Sequence, residues 1–231
     1  MNLIIFDVDG TLVHAAGKKD SKAFAQSYEE TFGRPFPTID WSQYDHVTDT
    51  VIFDSVIGQH FGRKPGAQET LRFQSCYQDK LRRNRQDAPG HFSAVPGARE
   101  AILQLEQRGW TVGVGTGGWK APALIKLDHV EIKIKDELFS GGDGKANREA
   151  ILEEVISAAA LANGSPPRRV VYIGDALWDV ATTRNLQVDF VGVRHRGDTH
   201  FLREAGAQAI IQNYTDFGLF LQAIEQARPP L

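Results

Sequence analysis

The chain has 231 residues, 42% of them hydrophobic and 24% charged, with a formal net charge of −3. That is ordinary composition for a folded protein of one large domain, or of a core with a smaller insert, and the charge favours neither nucleic acid nor an anionic membrane as partner. The one cysteine, Cys76, excludes an intrachain disulfide and a thiolate metal cluster, and with no leader-like segment before Asp7 and no apolar run near the ~20 residues of a bilayer span the expected location is the cytoplasm.

In chain order, Leu3-Ile4-Ile5-Phe6 is a short apolar run that predicts a strand buried on both faces. The stretch from about His14 to Phe92 then breaks into helical patterns at 21–32, 48–61 and 67–85, with no convincing buried strand among them. Gly17-Lys18-Lys19-Asp20 reads as a polar hinge at its start, and Pro89-Gly90 and Pro96-Gly97 punctuate its end. A helix over 98–107 follows, stopped by Gly109, and leads into a second buried strand, Val112-Gly113-Val114-Gly115. A helix over 147–161 carries Ile151, Leu152, Val155, Ile156 and Leu161 as its apolar stripe. Further strands are expected at Val170–Ile173 and Phe190–Val193, and a short one at Ala209–Ile211. Strands alternating with helices predict an α/β fold, a parallel sheet with helices on both faces. The interruption predicts a helical module, residues 15–92, inserted into a core made of 1–14 and 93–231.

Four segments carry the candidate chemistry. Asp7-Val8-Asp9-Gly10-Thr11 follows the first strand. Residues i and i+2 of an extended segment point the same way, so Asp7 and Asp9 face one small volume. Two carboxylates that close repel unless a proton or a hard cation such as Mg²⁺ intervenes. Gly10 permits a sharp turn whose backbone N–H groups can meet an anion. Alone, such a pair is more often an acidic turn. Gly115-Thr116-Gly117-Gly118, after the second strand, can hold a phosphate oxygen, or be an ordinary Thr-capped turn. Asp175 and Asp179 in Gly174-Asp175-Ala176-Leu177-Trp178-Asp179 can bind a cation directly or through water, or serve only the helix dipole. Lys145, just before a helix, can neutralise a nucleophile and an incoming phosphate. Open parallel sheets bind ligands outside the carboxyl ends of their strands, and three of these segments directly follow predicted strands. Chance assembly in that order is improbable.

These residues resemble the motifs of the haloacid dehalogenase-like superfamily, and its phosphoglycolate-phosphatase-like branch in particular. DVDGT at Asp7–Thr11 matches the first motif, GTGG at Gly115–Gly118 the second, and GDALWD at Gly174–Asp179 the fourth. The resemblance implies a Rossmann-like core with a helical cap that closes over substrate. It also implies a Mg²⁺-dependent phosphatase acting on a small phosphate ester. Asp7 is then the nucleophile that forms an aspartyl-phosphate, and Asp9 the acid/base. Thr116, with Gly10 and Gly117, binds the phosphoryl group. Asp7, the Asp9 main-chain carbonyl and Asp175 hold the metal, with Asp179 behind them. The second motif departs from the usual pattern at Gly117-Gly118, and the third lacks its usual proline. Lys145 is favoured for the third-motif cation, with Arg148 as the alternative.

A sugar phosphomutase of the same superfamily is the runner-up. A dehalogenase needs neither Asp9 nor Asp175, a phosphonatase needs a Schiff-base lysine with no distinctive candidate here, and a non-catalytic module would lack a core residue. Among lesser features, the basic run Leu81–Arg85 is expected to be the solvated end of a helix. Thr48 or Asp49 is expected to cap a helix rather than touch substrate. His14 is expected to be exposed or hydrogen-bonded, and Trp119 and Trp178 to pack.

Overall fold

A computed structural model describes all residues, 1–231. Six parallel strands form one sheet: β1 (Asn2–Phe6), β4 (Trp110–Gly115), β5 (Phe139–Ser140), β6 (Arg169–Gly174), β7 (Asp189–Val193) and β8 (Ala209–Ile211), in the spatial order β5-β4-β1-β6-β7-β8. The alternation of β1 explains its central place. Ile4 and Phe6 enter one core with Val114, Ile173 and Phe220, while Leu3 and Ile5 enter another with Leu152, Val155 and Tyr172. Both faces are therefore apolar and covered, as an all-parallel sheet requires.

Helices α4 (Ala98–Gln107), α5 (Lys120–His129), α6 (Arg148–Asn163), α7 (Leu177–Leu186), α8 (His200–Glu204) and α9 (Phe217–Gln226) supply that cover. The α6 stripe consists of Ile151, Leu152, Val155 and Ala159. Leu161, expected on that stripe, is 86% exposed, because at about 100° per residue it falls on the side of α6 opposite Leu152 and Ala159.

The register aligns the chemistry. Phe6 pairs with Val114 on one side and Ile173 on the other. Asp7, Gly115 and Gly174 therefore stand at one level, at the carboxyl edge of three adjacent strands.

Residues 13–94 leave this sheet through a short antiparallel pair, β2 (Val13–Ala15) with β3 (Phe92–Ala94). Between them lie α1 (Lys19–Phe32), α2 (Asp49–Phe61) and α3 (Ala67–Asp87). These helices share their own aromatic core, in which Phe24, Tyr28, Phe53 and Phe73 are buried. Trp119, from the turn after β4, belongs to that core as well and is 2% exposed. The basic run at the end of α3 is not wholly solvated. Arg85 is buried and makes a bidentate pair with Asp20 at 2.8 and 2.9 Å, because its position on α3 turns it inward with Leu81. Among the helices, none is long and apolar enough to cross a membrane.

Candidate active site

The chain turns at Gly10 with φ of 84°, a conformation that favours glycine, and a Cβ there would collide with the Asp175 carboxylate. This close approach brings the loop after β1 against the loop after β6. Asp7 sits at the floor, 4% exposed, with its backbone N–H bonded to the Ile173 carbonyl at 2.9 Å. Thr116 is also buried and lines the same cleft as Asp7, its hydroxyl accepting the Gly118 N–H at 3.4 Å. Carboxylate oxygens of Asp7, Asp175 and Asp179 all lie within 4.8 Å of one another.

Of the two candidate cations, the structure brings Arg148 to the cleft. Its Nη2 donates to Asp7 Oδ1 at 3.2 Å, to Asp179 Oδ1 at 2.7 Å and to the Tyr172 hydroxyl at 2.9 Å. Lys145 points elsewhere, with Nζ 2.9 Å from Glu154 Oε2. The reason is helical geometry. Lys145 lies in the loop ahead of α6, whereas Arg148 is its first residue, directed by the Asn147 cap, whose side chain accepts from the Ala150 N–H. Gly117 follows from the same arrangement. A Cβ at 117 would collide with the Arg148 guanidinium and the Val47 carbonyl, so glycine stands there.

Asp179 is fully buried, and both its oxygens are engaged. Oδ1 accepts from Arg148, while Oδ2 accepts the N–H groups of Asp175 and Ala176, each at 3.0 Å. That leaves Asp175 as the freer carboxylate at the mouth, with Arg194 Nη1 3.7 Å away.

Electrostatics mark this cluster as unusual. Burial, opposed by Arg148 and reinforced by Asp179, pushes the Asp7 carboxyl up to about 6. Burial and then the charges of Asp179 and Asp7 push Asp175 well above the ordinary carboxylate range. Burial works against the Arg148 charge, but Tyr172, Asp179 and Asp7 outweigh it and keep the guanidinium cationic. Massed oxygen ligands that resist ionisation together are a fit for a hard divalent cation, which would relieve their repulsion.

Asp9 faces the open chamber, with its side chain 48% exposed and Oδ2 accepting from Lys126 Nζ at 2.6 Å. Its carboxyl is raised by its depth in the cleft, against the pull of Lys126. Lys126 is buried on α5 and stands outside the four segments expected to carry the chemistry. Burial disfavours its ammonium, yet Asp9, Tyr77 and Asp20 carry its pKa well above the ordinary value. The sole available signal was a charged residue on the apolar face of a helix, one position before the buried Leu127.

A cavity of about 480 Å³ opens from Asp7 and Asp9 towards the inserted helices, whose Phe24, Trp41, Asp49 and Tyr77 form its far wall. Thr48 caps α2, accepting from the Val51 N–H at 3.2 Å. Asp49 accepts from the Trp119 N–H at 2.9 Å while lining the cavity. His14 also lines it, its ring 5.9 Å from that of His195.

Phosphoglycolate phosphatase of Cereibacter sphaeroides (strain ATCC 17029 / ATH 2.4.9) is 27% identical over 199 residues, covering 83% of this chain and 86% of that protein. A hydrolase from Pseudomonas syringae superposes with a TM-score of 0.71 at 21% identity, covering 97% of this chain and 99% of its own. CbbY from Rhodobacter sphaeroides, solved with xylulose-(1,5)bisphosphate, shares the fold with a TM-score of 0.63 at 15% identity, over 94% and 96% of the two chains. A family model for haloacid dehalogenase-like hydrolases matches residues 1–186, spanning the loops that carry Asp7, Thr116, Arg148 and Asp175, and the chain belongs to that family.

Proposed function

We propose that the chain is a Mg²⁺-dependent phosphatase that hydrolyses a small phosphate monoester through an aspartyl-phosphate on Asp7. The observation that carries this reading is the meeting of Asp7, Thr116 and Asp175, from the carboxyl ends of adjacent strands, with Arg148 from the start of α6, beside a cavity walled by the inserted helices. Phosphoglycolate is the first candidate ester, since relatives at 27% identity bear the name phosphoglycolate phosphatase.

In this mechanism an Asp7 oxygen attacks phosphorus, and Arg148 and Thr116 bind the equatorial oxygens as charge shifts onto them. Asp9 protonates the leaving oxygen and then takes a proton from the water that cleaves the aspartyl-phosphate. Asp7, the Asp9 carbonyl and Asp175 would hold the cation, which neutralises phosphate charge so that one anion can approach another. Asp179 orients Asp175 through its backbone N–H and Arg148 through its guanidinium. Residues 15–92 act as the cap, with the aromatic wall excluding water from the reacting centre.

A panel of phosphate esters assayed with and without Mg²⁺ tests the reading. Phosphate release that requires the metal is expected, while no release from any ester with Mg²⁺ present overturns it. A phosphomutase would instead need a sugar bisphosphate activator before it turned over a sugar phosphate.

A further inference from the structure

We propose that Lys126 is a positioning residue for the leaving-group proton transfer: its ammonium fixes one oxygen of Asp9 so that the other faces the ester oxygen. This rests on the phosphatase reading above.

The buried face of α5 otherwise carries Pro122, Ala123 and Leu127. Lys126 stands on that face, 4% exposed. Burying an ammonium costs several kcal/mol before pairing, so an aliphatic residue would be the less demanding occupant. The charge is therefore placed, and the structure shows where it is directed. Lys126 Nζ donates to Asp9 Oδ2 at 2.6 Å, the one protein hydrogen bond made to the Asp9 carboxylate. Asp7 is held by Arg148, but Asp9 opens onto the cavity and has no other anchor. Each catalytic aspartate thus has its own cation, Arg148 for the nucleophile and Lys126 for the acid.

The consequence for the reaction is specific. As the P–O ester bond breaks, its electron pair stays on the leaving oxygen, which takes the proton from Asp9 Oδ1. The O–H electron pair remains on Asp9, and the carboxylate charge so formed spreads to Oδ2, where the Lys126 ammonium meets it. The interaction strengthens as the transition state forms, so it acts on kcat and not on KM. It matters in proportion to how much the leaving group needs a proton.

The test compares two esters: the alkyl phosphate turned over fastest in the panel, whose alkoxide must be protonated, and 4-nitrophenyl phosphate, whose phenolate leaves with little help. Lys126→Met is expected to lower kcat on the alkyl ester at least about tenfold more than on the nitrophenyl ester, since general acid catalysis is worth about 10²–10⁴-fold. KM should stay within about threefold, and Lys126→Arg should recover most of the ratio. If Lys126→Met shows no cooperative melt, Lys126→Gln reads the same ratio. Equal losses on both esters, or a KM rise at unchanged kcat, overturn the inference. Should the unaltered protein hydrolyse neither ester, the phosphatase reading itself has failed, which is a different result.

Discussion

Lys145 lies in the loop before α6 and Arg148 is the first residue of that helix, and only Arg148 reaches Asp7. The two were hard to separate in sequence because both are cations ahead of the same apolar stripe, and where the helix begins, at Arg148 after the Asn147 cap, decides which faces the cleft. Arg148→Lys is expected to lower kcat by about 100-fold or more, because the shorter lysine cannot place its ammonium where Nη2 meets Asp7, Asp179 and the Tyr172 hydroxyl while also replacing the Nη1 contact to the Val47 carbonyl. Lys145→Ala is expected to stay within about threefold of the unaltered enzyme, since its pair with Glu154 is partly solvated. Steady-state kinetics on both variants check this, and the reverse order of effects would return the third-motif role to Lys145. Asp7 and Asp9 were legible as a pair because their relation is local, two residues apart directly after β1. Lys126 was not, because Asp9 lies 117 residues away in the chain.

At the level of elements, the joint between α2 and the turn after β4 holds the inserted helices to the sheet. The Asp49 N–H donates to the Gly117 carbonyl at 2.8 Å, the Trp119 N–H donates to Asp49 Oδ2, and Trp119 Nε1 donates to Thr50 Oγ1 at 2.8 Å. The Trp119 ring then fills the aromatic core of the inserted helices. Trp119→Ala is expected to cost about 3–5 kcal/mol and to expose residues 15–92 to limited proteolysis before the sheet unfolds. Denaturant melts and timed protease digestion check this, and an unchanged digestion pattern would contradict it. Asp49 adds a pH signature. Burial, opposed by Lys126, raises its carboxyl to about 6, so the folded state binds its proton more tightly than the unfolded chain does. Stability is therefore lost as pH rises from about 4 through about 6. Asp49→Asn is expected to flatten that decline and raise stability at pH 7.5 by about 1–2 kcal/mol, read from melts across the range. The helices themselves were visible as periodic patterns. Their attachment was not, because Trp119 reads as an ordinary packing residue until the fold brings α2 to it.

Over the whole molecule, the parallel sheet was readable because β1, β4, β6 and β7 are continuous apolar runs buried on both faces. The two-residue β5 and the β2–β3 pair were not, since such short strands have no period of their own. The register of β6 against β1 joins two separate segments into one acidic cluster of Asp7, Asp175 and Asp179, which stores unfavourable charge. Mg²⁺ is accordingly expected to raise the melting temperature of the unaltered protein by mass action. Asp175→Asn should melt higher than the unaltered protein without metal at pH 7.5, because burial and the neighbouring acids oppose ionisation of Asp175, and should lose the Mg²⁺ response. A Mg²⁺ shift preserved in Asp175→Asn would place the cation elsewhere. The proposed mechanism requires Asp7 to form a covalent bond to phosphorus. Acid-quenching the enzyme during turnover, reducing it with borohydride and sequencing the N-terminal peptide by tandem mass spectrometry tests this most directly. The predicted result is a homoserine at position 7, the reduction product of an aspartyl-phosphate, absent in Asp7→Asn; reduction at position 9, or at no residue while phosphate is being released, would contradict it.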